Sequence, residues 1–170
     1  IYYDCRGKAI ALAVIGTESL DKGINICAAH VDSPRMDLKP NPLYEDSEIA
    51  YFKTHYYGGI KKYQWPTVEL ALHGVVCLKD GTTVTITIGE DPEDPVLMIS
   101  DLLIHLAGDQ MQKTASQVIA GEQLNVILGT EPLEGEGSDL VKLNVMTALN
   151  EKYGITESAF LSAELTILPA

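Results

Sequence analysis

The strongest constraint on the fold of this chain is the strict alternation of apolar and polar residues in TVTITI, residues 83–88. Val84, Ile86 and Ile88 fall on one side of an extended backbone, and threonines fall on the other. Because successive side chains of a strand point to opposite faces, this period of two predicts a β-strand with one buried face. Similar patterns predict further strands over residues 67–76, 124–128 and 160–168.

The start of the chain predicts a hairpin and then a short buried strand. Residues 2–15 alternate around a turn at Asp4-Cys5-Arg6-Gly7, and residues 24–28 are apolar and lead directly to His30. The following residues 33–46 contain three prolines. Each proline removes a backbone donor and fixes φ, so we expect this stretch to be an irregular loop.

Two helices are predicted, one long and one short. After Ser138-Asp139, apolar residues recur at helical spacing up to Tyr153, and Gly154 is a suitable terminator. A shorter apolar helix is expected over residues 101–106, capped by Ser100, with aspartate in its first turn.

Composition excludes several classes of function. The net charge of −12 argues against nucleic acid, because phosphate binding requires a basic face. No apolar run approaches the roughly 20 residues that span a bilayer, and the start lacks the pattern of a signal peptide. The three cysteines have no paired spacing, which favours reduced thiols and a cytoplasmic protein.

We also expect the chain to be a segment of a longer protein, since it stops directly after a strand.

The triplet His30-Val31-Asp32 is a possible metal site. Histidine is a common zinc ligand, and a bound imidazole usually donates its other N–H to a carboxylate that fixes its tautomer. From the triplet alone, a capping or core role for these two residues is the more common explanation. The chain offers no further ligands at useful spacing, and one ligand cannot hold zinc, which needs three or four.

Other candidate positions carry weaker signals. His105 lies in the apolar stretch DLLIHLA, where composition alone favours a half-buried histidine bonded to a backbone carbonyl over a functional role. Gly58-Gly59 permits either a tight turn or the close approach of a ligand. The acidic residues 90–95 are interrupted by prolines, which excludes the ligand spacing of a calcium-binding hand.

Four ordered stretches resemble the aspartyl-aminopeptidase-like metallopeptidases, the family that includes vacuolar aminopeptidase. They are AAHVDSPRMDLKPNPLYE, THYYGGIKKYQW, IGEDPEDPVLMISDLLIHLAGDQ and FLSAELTILPA. The first looks like the family's His-x-Asp-Ser-Pro motif in its bacterial form, and the second is similar to its Tyr-Gly-Gly stretch.

The resemblance implies a binuclear aminopeptidase with zinc, or with cobalt or manganese, acting on peptides and assembled as a homo-dodecamer. It implies an α/β catalytic domain with an inserted β-rich lid: residues 1–57 and 160–170 would be catalytic, and residues 58–159 would be the lid.

The resemblance also assigns roles to individual residues. His30 would be a metal ligand, and Asp32 would orient its imidazole. His105 would stabilise the tetrahedral intermediate in the active site of a neighbouring subunit. Gly58, Gly59, Lys61 and Lys62 would contact substrate.

The chain departs from the family pattern in two respects. The remaining metal ligands and the general base would follow Ala170. The segment Gly-Gly-Ile-Lys-Lys has a shorter run of glycines than the eukaryotic form. A preference for acidic N-terminal residues in the substrate is therefore not carried over. Two other functions stay open: a non-catalytic β-rich oligomerisation module, and a metal-dependent deacylase.

Overall fold

The computed structural model describes all of residues 1–170, and the chain folds as two units, Ile1–Asp32 and Ser33–Ala170. The first unit begins with the predicted hairpin, formed by strand β1 (Tyr2–Cys5) and strand β2 (Ala9–Leu12). Asp4 accepts a hydrogen bond from the Gly7 amide at 2.8 Å, which closes the turn. The hairpin is therefore confirmed, although its second strand ends before Ile15.

The predicted buried strand over residues 24–28 is wrong for this chain. A single turn of 3₁₀ helix forms at Leu20–Lys22, but residues 24–34 have no regular secondary structure. The side chains of Ile24 and Ile26 are 68% and 78% exposed. A strand needs a neighbour that pairs with its backbone groups, and no residue of this chain pairs with these. No residue of Ile1–Asp32 is buried.

The second unit is built on one antiparallel sheet of six strands. Its strands are β3 (Arg35–Asp46), β4 (Ile49–Tyr57), β5 (Leu70–Cys77), β6 (Thr83–Ile88), β7 (Val126–Gly129) and β8 (Ala163–Pro169). The order across the sheet is β6-β5-β8-β3-β4-β7, so β6 and β7 are the outermost strands. Strands are therefore confirmed in all four stretches where alternation predicts them.

The expectation of an irregular loop over residues 33–46 is wrong, because most of this stretch forms β3. Its pairing with β4 runs from Arg35 to Leu38 and resumes at Leu43, so residues 39–42 lie opposite the single residue Lys53. Pro40 and Pro42 fall inside this bulge, where the strand makes no ladder hydrogen bonds to β4. A bulge is the place where a strand tolerates a missing N–H, so the prolines bend β3 without ending it.

The predicted long helix is confirmed as α1 (Leu140–Tyr153). It ends at Gly154, which adopts the left-handed conformation (φ 69°) and donates its N–H to the Asn150 carbonyl at 2.7 Å. The residue that precedes the helix, Asp139, makes no side-chain hydrogen bond to its first turn. Glu45 of β3 instead accepts the Lys142 amide at 2.8 Å, which satisfies one of the unpaired donors of the first turn.

The predicted short helix over residues 101–106 is wrong. The chain between β6 and β7 forms turns and two 3₁₀ segments, Gln110–Gln112 and Gly121–Gln123. Asp101 accepts hydrogen bonds from the Leu102 amide and the Gln110 side chain, both at 2.8 Å, and these hold the loop closed. A helix of one turn is not stable on the helix propensity of its residues alone, because helix nucleation is unfavourable. The apolar side chains of residues 101–106 also pack against no core that would stabilise such a helix.

The core lies between one face of the sheet and the elements that cover it. Phe52 of β4 meets Phe160 edge to face, with ring centroids 5.5 Å apart, and the Thr54 hydroxyl donates to the Leu124 carbonyl. Burying a side chain the size of Phe52 contributes about 1.5–3 kcal/mol. The sheet is continuous across the expected domain boundaries at residues 57/58 and 159/160, since β8 pairs with β3 on one side and β5 on the other.

Candidate functional site

His30 and Asp32 form a close pair in the irregular segment that follows residue 23. The His30 Nε2 atom lies 2.6 Å from Asp32 Oδ1, and the two side chains are 85% and 33% exposed. The pair therefore places a carboxylate oxygen close to one ring nitrogen of His30, on the side from which a carboxylate can orient an imidazole, and leaves the second ring nitrogen for a metal ion. This is the geometry that the triplet His-x-Asp suggests, although no strand supports it here.

The side chains of this chain do not by themselves assemble a metal site. No group of three or more histidine, cysteine, aspartate or glutamate side chains is arranged to hold a metal ion. Zinc takes three or four protein ligands, most often nitrogen, sulfur or carboxylate oxygen. An imidazole oriented by a carboxylate fits zinc in chemical type, but the number of donors is too small for a complete site.

His105 lies in an exposed turn between β6 and β7. Its neighbours Leu102, Leu103, Ile104 and Leu106 are also exposed, by 52%, 72%, 67% and 71%. The alternative of a half-buried histidine is therefore wrong, because the ring of His105 is on the surface. Large apolar side chains clustered on one loop are typical of a surface that another protein surface covers.

The glycine pair and the two lysines lie just after β4. Gly58 has a φ of 74°, which glycine adopts without strain, and its Cα faces the Pro34 ring. Lys61 is exposed, while the Lys62 ammonium lies 5.6 Å from the centre of the Tyr56 ring. The turn thus presents two cations, and one of them, Lys62, lies beside an aromatic side chain, an arrangement that can contact a polar ligand.

Sequence reasoning missed a charged row on the open face of the sheet. Asp37 accepts hydrogen bonds from Arg35 Nε at 2.8 Å and from the Thr166 hydroxyl at 3.0 Å, and the Arg35 guanidinium lies 4.4 Å from the Tyr57 ring centre. On β5, His73 Nε2 lies 2.8 Å from Glu90 Oε1. Arg35 and Asp37 are two residues apart, a spacing that places both side chains on one face of a strand. The prolines that follow led to the prediction of a loop, so this signal was not used.

A second feature that the sequence did not reveal joins α1 to the loop after β6. Asp94, only 8% exposed, accepts a hydrogen bond from the Lys152 ammonium at 2.7 Å. The hydrogen bond from Lys152 holds the pKa of Asp94 below its usual range, and the same bond raises the pKa of Lys152. A cavity of about 410 Å³ opens beside this ion pair, between α1 and the sheet.

None of the helices is long and apolar enough to cross a membrane.

Comparison with known proteins defines the class of this sheet-rich segment. The family described as "Aminopeptidase I zinc metalloprotease (M18)" matches residues 1–170. The chain is 56% identical over 171 residues to "Probable M18 family aminopeptidase 1" of Clostridium acetobutylicum, and 52% identical over 170 residues to the protein of that name from Thermotoga maritima. Each alignment covers 100% of this chain and 37% of the relative.

The structural comparison agrees. The crystal structure of aminopeptidase I from Clostridium acetobutylicum superimposes with a TM-score of 0.90 at 50% identity, over 99% of this chain and 37% of that one. The chain therefore belongs to the M18 aminopeptidase family, whose members are zinc metalloproteases. It spans a little over one third of the length of the relatives it matches.

Proposed function

We propose that the complete protein is a zinc-dependent aminopeptidase that removes N-terminal residues from peptides. The observation that carries this proposal is the family match over residues 1–170, which includes the oriented His30–Asp32 pair. Aminopeptidase activity belongs to the whole protein, of which this chain would be the N-terminal and middle part.

In this proposal His30 is a metal ligand and Asp32 positions it. The Asp32 carboxylate lies 2.6 Å from the His30 ring nitrogen, and by accepting its N–H it would fix the tautomer and make the opposite nitrogen a better donor. His30 would hold zinc together with ligands from outside this chain, and the ion would supply Lewis-acid chemistry for a peptide carbonyl and for an attacking water. The other metal ligands and the general base would lie outside residues 1–170. The complete site would hold two divalent ions, either zinc or, in its place, cobalt or manganese.

His105 would serve the active site of a neighbouring subunit. A tetrahedral intermediate needs a hydrogen-bond donor held where negative charge develops, and an exposed histidine on a protruding loop can supply one. The apolar side chains around His105 support this role, because a subunit contact would cover them. Their exposure is consistent with the expected homo-dodecamer.

Gly58, Gly59, Lys61 and Lys62 would bind substrate. The positive φ of Gly58 and the exposed ammonium of Lys61 support a loop that meets the polar part of a peptide.

The organisation into an α/β catalytic domain and a β-rich lid is also part of the proposal. Ile1–Asp32 contains no buried residue, so this unit lacks a core of its own and needs further protein surface to cover its apolar side chains. We therefore assign this unit to the catalytic domain. The continuous sheet of Ser33–Ala170 supports a lid that begins earlier and ends later than residues 58–159. A cytoplasmic location fits the exposed, unpaired cysteines.

The test uses the complete protein and a set of peptides with free or acetylated N-termini. Release of the first residue from free peptides only, lost on chelation and restored by added zinc, is the expected result. Cleavage of the acetyl group itself would favour a deacylase instead. A folded protein that shows no zinc-dependent hydrolysis of any peptide would favour the non-catalytic module.

A further inference from the structure

Arg35, the first residue of β3, has no part in the function proposed above. It pairs in register with Tyr57, the last residue of β4, and its guanidinium carbon lies 4.4 Å from the centre of the Tyr57 ring. A cation at this distance is attracted to the face of an aromatic ring. The ring of Tyr57 is therefore restrained immediately before residues 58–62, called here the glycine–lysine segment.

The sheet also holds the side chain of Arg35 in place. Its Nε atom donates to Asp37 Oδ1 at 2.8 Å, and the same oxygen accepts the Thr166 hydroxyl of β8 at 3.0 Å. Thr166 lies opposite Asp37 in the register of β3 and β8. Because the guanidinium is planar and rigid, a hydrogen bond at Nε restricts the orientation of the whole group. Arg35 is thus fixed by two strands, and its side chain is only 28% exposed.

The glycine–lysine segment is supported at two points. A Cβ added at Gly58 would lie 3.5 Å from the Cα, Cβ and Cγ atoms of Pro34, so the segment begins beside the residue that precedes Arg35. Further on, Ile60 packs against the hydrophobic core. The direction in which the segment leaves β4 therefore depends on the first support, which Pro34 and the contact between Arg35 and Tyr57 form together.

We propose that Arg35 is a positioning residue for substrate binding. By restraining the Tyr57 ring it fixes where the chain enters the glycine–lysine segment, and thereby where Lys61 and Lys62 lie. This role rests on the proposed function of the segment, which is to contact the substrate; Arg35 itself does not. Without the guanidinium the segment populates further orientations. The affinity for peptide then falls with the fraction of molecules that remain competent, while the chemical step is unchanged.

The experiment measures kcat and KM of the zinc-loaded complete protein with the free peptide that it cleaves fastest in the set described above. Arg35→Met removes the guanidinium and keeps an apolar stem. We expect KM to rise about three- to fivefold, the factor that corresponds to an exposed cation–π contact, with kcat unchanged. Arg35→Lys keeps a cation near the ring and should recover part of the loss. Thermal unfolding checks that both variants fold.

Lys53→Met is the matched control. The Lys53 ammonium lies 4.9 Å from the centre of the Tyr44 ring in the same two strands, but Tyr44 does not lead into the glycine–lysine segment. This variant removes a contact of the same kind and should leave KM unchanged. The double replacement of Lys61 and Lys62 by Met tests the route of the effect, because Arg35→Met should cause no further rise in KM in that background.

A second readout does not depend on catalysis. Trypsin cleaves after Lys61 and Lys62 only when the segment opens enough to enter the protease, so the cleavage rate reports the open population. We expect Arg35→Met to raise the initial rate of cleavage at these bonds about three- to fivefold, and Lys53→Met to leave it unchanged. Mass spectrometry of the fragments identifies the cleaved bonds.

Equal KM in wild type and Arg35→Met would overturn the proposal, and so would faster tryptic cleavage that leaves KM unchanged. A rise in KM that persists in the double lysine background would show that Arg35 contacts the substrate directly, which also contradicts a positioning role. Failure of the aminopeptidase proposal gives a different result: the wild-type protein itself hydrolyses no peptide, while the tryptic rates still show whether Arg35 holds the segment.

Discussion

At the scale of single residues, the exposure of His30 makes its role easy to test. The ring is 85% exposed, so His30→Ala creates no cavity in the folded protein. In the complete protein we expect this variant to fold and to lose zinc, because a ligand is gone. Asp32→Asn should keep the ligand and lower metal affinity or activity by about 10–100-fold through a weaker orienting bond. Zinc content by elemental analysis provides the check, and equal zinc in wild type and His30→Ala would contradict the assignment.

Gly74 is a second residue whose environment allows a definite prediction. Its φ is 143°, and an added Cβ would lie 1.9 Å from the Glu164 backbone carbonyl oxygen in the neighbouring strand. A backbone atom in a ladder cannot move away as a side chain can, so Gly74→Ala should destabilise the fold by roughly 2–5 kcal/mol.

Gly81 provides the matched control for this substitution. It also has a positive φ, of 87°, but an added Cβ would have no neighbour within 4 Å. Gly81→Ala should therefore cost only about 1–2 kcal/mol, the price of the backbone conformation alone. Thermal or denaturant unfolding of the two variants gives the comparison, and equal losses would show that the contact with Glu164 is relieved at little cost.

At the scale of secondary-structure elements, the Asp94–Lys152 ion pair ties α1 to the loop after β6. Because the Lys152 hydrogen bond lowers the pKa of Asp94 from 3.8, the pair stabilises the fold above about pH 4 and this contribution is lost as the pH falls through the lowered pKa. Because the pKa of Lys152 is raised from 10.5, the contribution is complete below that pH and is lost as the pH rises through the raised value.

Asp94→Asn should therefore lower the melting temperature between about pH 5 and pH 9, and the difference from wild type should shrink as the pH falls towards 2. Glu93→Gln removes a carboxylate from the same loop that is not part of the ion pair, and it should change stability little at any pH. A melting-temperature difference between Asp94→Asn and wild type that is the same at pH 2 and pH 7 would argue against the ion pair as its cause.

The elements that were predicted correctly from the sequence are those whose pattern lies within the element itself. Helix α1 has its own apolar spacing and a terminating glycine, and β6 has a strict alternation, so both depend on few distant contacts. Strand β3 was missed because its prolines are tolerated only within a bulge opposite Lys53, which depends on the pairing partner. The helix expected at residues 101–106 failed for the opposite reason, since its apolar side chains find no core.

The candidate site could be predicted from sequence to a similar extent. The motif His-x-Asp gave the pairing of His30 with Asp32, because the two residues are neighbours in the chain. The Asp94–Lys152 pair and the cavity beside it could not be predicted, since they bring together residues 58 positions apart. Such contacts follow from the packing of α1 on the sheet.

At the scale of the whole molecule, the exposed loop that carries His105 predicts a dependence on assembly. In the complete protein, His105→Ala should fold, assemble and bind zinc normally, because the ring is on the surface. Its kcat should fall about 10²–10³-fold, as for the removal of one oxyanion donor. Mixing His105→Ala subunits with His30→Ala subunits should restore part of the activity, since a mixed pair contains one intact site.

The measurements are kcat per zinc-loaded site and the mass of the assembly. A lower melting temperature with unchanged kcat would show that His105 has only a structural role. Mixed subunits that remain inactive while assembling normally would contradict the contribution in trans.

The position of β6 at the outer edge of the sheet has a consequence for how the protein misfolds. Its six residues contain no charge, proline or glycine, and an uncapped strand of this kind is a template for cross-β growth. Tyr153 covers one end by donating its hydroxyl to the Thr87 carbonyl at 2.6 Å. Thr85→Lys should slow aggregation on heating more than Ala115→Lys, which adds the same charge to a loop, as light scattering would detect. The unpaired edge of β6 can therefore accept a strand from a second molecule, which is the first step of amyloid-like fibre growth.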